Sequence, residues 1–331
     1  MNRELDFLAE RLEVDSLDDA LDFPQFFQIE TIRHCNARCP FCAIDKWDKS
    51  QPLMSDKLFE KIAEELSDYK DWIRFVDVQR AGEPLMDSKI VQRVKRMKDA
   101  GMRFVTFSTN ASLLDEKKAR GLLEAGLDEI MLSIDSVEKQ TYEALRVRLN
   151  FERVVENIRR FFKLRDEIKP ETIIRVRAVA CFDANDPKHK AQMHNWEEFW
   201  EPMRKPHDRI YMKQLHTWSN THVWEDHKED YKSGLDYKPC IAPWGTFHVT
   251  SMGIVPLCGQ DMDAKMNLGD INKQSIAEVW HGEKFRKVRE LHTTGRRNEI
   301  SFCVGCRLFD PDFSIERTSE RKGFFKVKPQ K

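Results

Sequence analysis

FFQIETIRHCNARCPFC, residues 26–42, joins two signals: seven residues with the apolar rhythm of a strand, then three cysteines inside eight positions. Similar Val-, Ile- and Phe-rich runs recur at IRFVDVQ (73–79), MRFVTFST (102–109), EIMLSID (129–135), TIIRVRAVA (172–180) and RIYMKQL (209–215). Between them, apolar periodicity predicts helices near 55–68, 88–100, 115–124, 151–167 and 191–203. Strands that alternate with helices imply a parallel sheet, because parallel neighbours need a crossover connection. Right-handed crossovers curl six such units into an α/β fold, a partial (β/α)6 barrel of the TIM type, with its chemistry at the C-terminal strand ends. Residues 1–25 predict a helical extension, with Leu5, Leu8 and Leu12 at helical spacing. The rhythm stops near 225, which places the barrel over 26–225 and a small cysteine-bearing domain over 226–331.

The 331 residues carry 55 Lys+Arg against 56 Asp+Glu, a net charge of −1. A chain that wraps a polyanion usually shows a basic excess, so no nucleic-acid partner is expected, transfer RNA included. Apolar residues make up 40% and charged residues 34%, with a mean hydropathy of −0.62, a globular composition. No run approaches the ~18 apolar residues of a membrane span, so no membrane partner is expected. The start, MNRELDFLAERLEVDSLDDA, lacks the apolar core of a signal peptide, which points to the cytoplasm. In that reducing compartment eight cysteines suggest metal ligation rather than disulfides.

The cysteines fall as three (Cys35, Cys39, Cys42), four (Cys240, Cys258, Cys303, Cys306) and one (Cys181). Three local thiolates suit one face of a 4Fe–4S cubane and leave one iron open to a substrate or cofactor. A structural zinc competes, although zinc sites usually show four ligands in two pairs. Four thiolates close a second cubane entirely, and here tetrahedral zinc competes more strongly.

Cys-x3-Cys-x-aromatic-Cys after the first barrel strand resembles the signature of the radical S-adenosylmethionine (SAM) enzymes. The resemblance implies that the open iron binds SAM, that one electron cleaves it to a 5′-deoxyadenosyl radical, and that Phe41 lies beside the adenine. A flavodoxin- or ferredoxin-like donor of that electron is implied with it. Arg80-Ala81-Gly82-Glu83-Pro84 resembles the family's Gly-Gly-Glu-Pro turn, with Ala81 in place of the first glycine, and implies a grip on the SAM ammonium. Asn110, in Ser-Thr-Asn-Ala, resembles the family's Thr-Asn-Gly. Ser133 and Arg146 match the pair that binds the SAM carboxylate, and Asp135 the group that meets the ribose. Taken alone, Glu83 also reads as a turn acid and Arg146 as a surface charge. The later cysteines resemble the family's SPASM extension in its shorter form, Twitch, with one auxiliary 4Fe–4S cluster.

Acids and amides at successive strand ends favour an enzyme over a non-catalytic iron–sulfur electron carrier. Relatives of this type act on sugars and aminoglycosides or modify ribosomally made peptides. The 25 residues ahead of the first strand are too few for a leader-recognition domain, which favours a sugar-type substrate. His216, Trp218 and His222 follow strand six and are candidates for the substrate wall. Cys181 directly follows strand five; a thiol there can return a hydrogen atom to a substrate radical, making the enzyme an epimerase. Otherwise Cys181 is a small apolar filler and the reaction is dehydrogenation.

Overall fold

The computed structural model describes residues 3–180, 187–214, 238–304 and 306. The predicted alternation is present. In chain order the elements are α1 (Arg3–Leu12), β1 (Phe26–Ile29), α2 (Asp56–Ser67), β2 (Phe75–Asp77), α3 (Ile90–Asp99), β3 (Val105–Thr109) and α4 (Glu116–Glu124). They continue as β4 (Glu129–Ser133), α5 (Lys139–Leu145), α6 (Phe151–Ile168), β5 (Ile173–Ala180), α7 (Pro187–Trp200) and β6 (Arg209–Gln214). After these come α8 (Ala242–Gly245), β7 (Thr246–Val249), β8 (Ile254–Val255), β9 (Gly269–Asp270), α9 (Ile276–Trp280) and α10 (Glu283–Thr293). Side-chain caps open several helices: Asp115 accepts from Lys118 N at 2.8 Å and Asn150 from Arg153 N at 2.9 Å.

The sheet order is β6-β5-β4-β3-β2-β1-β7, and β2 through β6 pair in parallel. The first six strands thus lie side by side in chain order, as the (β/α)6 reading requires. β7 is an addition the sequence did not announce, since it comes after the alternating rhythm has ended. One face of the sheet is apolar and buried, with Ile130, Leu132, Ile174, Val176 and Ala178 all at 0% exposure. Strand alternation turns Asp77, Ser108, Met131, Arg175, Arg177 and Tyr211 to the other face.

Two compact units emerge, and neither is a continuous stretch of sequence. One comprises 29–55 and 76–215; the other gathers 1–28, 56–75 and 216–331. Apolar burial explains the second grouping. Leu8 and Leu12 of α1 enter one core with Ala20, Phe26, Ile241 and Trp244. The α2 segment joins through polar ties as well. Lys61 Nζ donates to the carbonyls of Ile271 and Gln274 at 2.7 and 2.6 Å, and Glu65 accepts from Ile276 N at 2.6 Å. Among the described residues no helix is long and apolar enough to cross a membrane.

Leu12 has no exposure, so Leu12→Ala is expected to lower stability by about 2–5 kcal/mol, the range for emptied leucine sites. The denaturant midpoint measures this, and an unchanged midpoint would detach α1 from the core.

Candidate active site

The first cysteine loop is anchored from beneath by a buried ion cluster. Glu30, at the end of β1, has no exposure and accepts from Arg33 Nε at 2.8 Å and from Arg80 Nη1 at 3.5 Å. Arg33 Nη1 also donates to the Asp48 carbonyl at 3.2 Å. Arg33 lies two residues before Cys35, and Arg80 opens the Ala81–Pro84 turn, so one carboxylate sets the roots of both motifs. Above it, the turn presses on the cysteine loop. Glu83 N donates to the His34 carbonyl at 2.8 Å. A Cβ on Gly82 would come within 2.6 Å of the carbonyls of both His34 and Ile32, and its φ of +73° also requires glycine.

The Glu83 side chain is fully engaged. It accepts from Leu85 N at 3.0 Å, from the Thr109 hydroxyl at 2.5 Å and from Asn110 N at 2.7 Å. Burial pushes its carboxyl up, and those three donors oppose the shift. Asn110 Nδ2 donates to Asn36 Oδ1 at 3.0 Å, and Asn36 Nδ2 to Ser112 Oγ at 2.8 Å. Ala111, where the family pattern has glycine, takes a left-handed φ of +59°.

Arg146 and Asp135 form a buried fork, at 2.5 Å through Nε and 3.0 Å through Nη2. Asp135 also accepts from Val179 N at 2.8 Å. Burial disfavours the Arg146 charge, but Asp135 and Cys39 outweigh it and hold the pKa above its ordinary value. Its Nη1 lies 3.7 Å from Cys39 Sγ, and its guanidinium stands 5.2 Å from the Phe41 ring centroid. Ser133 is not bonded to Arg146. Its hydroxyl accepts instead from Arg177 Nη2 at 3.2 Å. Arg177 Nε is buried without a partner among the described residues.

All three cysteines of this loop are partly buried. Burial pushes Cys35 up to about 12 and Cys42 up to about 11, and neighbouring thiols of the same loop add to both shifts. Burial also raises Cys39, with Arg146 opposing.

In the other unit Cys240, Cys258, Cys303 and Cys306 also sense one another. Burial raises Cys258, and each of the other three thiols raises it further. Burial likewise lifts Cys240 to about 11 and Cys303 to about 12, against the Arg297 charge. Arg297 donates to the carbonyls of Lys238, Cys303 and Cys306 at 3.3, 3.4 and 2.5 Å. Asp261 shapes the Cys258 turn, accepting from the backbone of Leu257, Lys265 and Met266. Among the described residues no three His, Cys, Asp or Glu side chains close on a single-ion site. Both donor sets are partly buried cysteines with no disulfide among them, the ligand type that an iron–sulfur cluster takes.

Cys181, His216, Trp218 and His222 lie outside the described residues. Sequence reading missed Arg177, whose place opposite Ser133 is set by the register between β4 and β5. It also missed the Glu30–Arg33–Arg80 cluster and the Asn36–Ser112 link, which carry no local signature.

Residues 29–172 match the family model of the radical SAM superfamily, and 240–307 match SPASM, an iron–sulfur cluster-binding domain. A probable GTP 3′,8-cyclase of Sulfurisphaera tokodaii is 32% identical over 134 residues, 40% of this chain and 42% of that protein. The S-adenosyl-L-methionine-dependent 2-deoxy-scyllo-inosamine dehydrogenase of Niallia circulans is 34% identical over 67 residues, 20% of this chain and 27% of that protein. The chain therefore spans less than half the length of these curated relatives. Among solved structures, BtrN in complex with AdoMet and 2-DOIA has a TM-score of 0.58 at 17% identity, over 86% of this chain and 93% of that one. SuiB of Streptococcus suis, bound to the precursor peptide SuiA, has a TM-score of 0.63 at 15% identity, over 85% and 69%. At these identities the likeness is one of fold.

Removing one partner of a buried ion pair strands the other. Arg146→Met is therefore expected to cost about 3–5 kcal/mol, and adding Asp135→Asn to recover much of it. Denaturant titration of the metal-free chain measures both, and a neutral Arg146→Met would mean that Asp135 is satisfied without it.

Proposed function

The chain belongs to the radical SAM superfamily and carries a SPASM iron–sulfur domain, and from that premise we propose that it oxidises a hydroxylated, sugar- or cyclitol-type small molecule. Cys35, Cys39 and Cys42 would hold the SAM-binding cluster, and Cys240, Cys258, Cys303 and Cys306 one auxiliary cluster. Phe41, the Ala81–Pro84 turn, Asn110, Ser133 and the Asp135–Arg146 pair would form the SAM side of the site. When bound, SAM and the two clusters supply a 5′-deoxyadenosyl radical for hydrogen abstraction and an acceptor for the second electron. The chain's own residues orient the reactants. Glu83 fixes the strand ends, and Arg177 offers N–H donors beside Ser133 to an oxygen-bearing ligand.

The observation that carries the substrate class is the polar face of the sheet. Asp77, Ser108, Ser133, Arg177 and Tyr211 share it with Met131, a mainly polar surface suited to hydroxyls. The similarity to the inosamine dehydrogenase supports the same class and favours oxidation. The peptide complex of SuiB keeps peptide modification as the competing substrate class. Epimerisation is a second reading, favoured by Cys181, which follows β5 directly in sequence.

Oxidation at a C–OH carbon removes one hydrogen atom, one electron and one proton. The reconstituted chain, containing about eight irons at four per cluster, is expected to form 5′-deoxyadenosine in response to an aminocyclitol or sugar from a panel. The product is expected to be two mass units lighter than its substrate, and Cys181→Ala to make it equally well. A product of unchanged composition that gains one carbon-bound deuterium in D₂O, and is lost in Cys181→Ala, would establish the epimerase instead.

A further inference from the structure

His292 lies on the last turn of α10 with only 2% exposure. Its ring touches two of the three segments that supply the later cysteines. Nδ1 accepts a hydrogen bond from the backbone N–H of Cys240 at 3.0 Å. A ring nitrogen that accepts carries no proton, so the imidazole is neutral and its hydrogen resides on Nε2. Nε2 lies 3.8 Å from Cys303 Sγ. The ring stands edge-on to Trp244 at a centroid distance of 6.1 Å, which limits its rotation. Backbone and neighbouring ring therefore select the tautomer that aims a donor at a thiol.

We propose that His292 donates an Nε2–H···S hydrogen bond to Cys303 and thereby raises the reduction potential of the auxiliary cluster. This rests on the reading that Cys240, Cys258, Cys303 and Cys306 hold that cluster. A hydrogen bond to a ligand sulfur draws electron density from it and stabilises the more negative, reduced state. Arg297, bonded to the carbonyls of Cys303 and Cys306, acts in the same direction but through charge. His292 is a positioning and tuning residue, remote in sequence from every cysteine but those near Cys303. A raised potential favours the cluster as an electron acceptor, which is the part that oxidation of a substrate radical requires.

The test is a redox titration of the fully loaded, full-length protein followed by electron paramagnetic resonance. SAM perturbs only the signal of the cluster with an open iron, which separates the two. His292→Phe keeps a ring but removes the donor. At a fixed potential it is expected to lower the reduced-to-oxidised ratio of the auxiliary cluster about tenfold, ~59 mV for one electron. The SAM-binding cluster should not move, and His292→Gln, which restores an N–H, should lie nearer the parent. An unchanged auxiliary potential in His292→Phe with full iron content overturns the proposal. If that variant loses its second cluster, the parent decides: with ¹⁵N-labelled histidine, pulsed spectra of the reduced auxiliary cluster should show one coupled imidazole nitrogen, and its absence overturns the proposal. A parent holding only about four irons would instead remove the two-cluster reading itself.

Discussion

The arrangement of the first cysteine loop and the strand ends beside it depends on the buried carboxyl group of Glu83. Its own N–H holds the cysteine loop through the His34 carbonyl, while its oxygens take the Thr109 hydroxyl and the Asn110 N–H. The ends of β1, β2 and β3 are thereby joined by a single residue. A carboxyl group with almost no water around it is costly, and three donors at or below 3.0 Å offset that cost. Glutamine at this place would offer one acceptor oxygen and one donor group, and the donor would face N–H or O–H groups that also donate.

A second layer of charge repeats this logic. Glu30 binds both Arg33 and Arg80 below the cysteine loop, and Asp135 binds both Arg146 and the β5 backbone beyond it. Such buried pairs add little net stability against apolar replacements, but they permit few alternative arrangements. Asp135 and Arg146 also neutralise each other, which leaves Arg177, beside Ser133, as the less satisfied cation at the same level of the sheet.

Much of the barrel was legible because its strands and helices declare their periods. The runs at 129–135 and 172–180 became β4 and β5 with their ends shifted by a residue or two. The motif residues were legible because they follow strands directly. What escaped was anything set by tertiary register. That Ser133 meets Arg177 follows from pairing across β4 and β5, which no local pattern encodes. The short α5 escaped as well, and β7 sits in the sheet although it lies far from the other strands in sequence.

The gathering of 1–28 and 56–75 with 216–331 has a consequence for biosynthesis. A chain leaves the ribosome from its N-terminus, so α1 emerges long before Ile241 and Trp244, which share its core, and α2 long before Ile276, whose N–H binds Glu65. Leu8, Leu12 and Phe26 must remain without their final neighbours while more than two hundred residues are translated between them, during which exposed apolar surface invites association or a chaperone. The stretch 76–215 faces no such delay, since its strands are made in the order in which they pair. Translation therefore favours an order in which β2 to β6 are in place first, while the unit that carries the four later thiols closes only after the segments around Cys240 to Cys306 have been made.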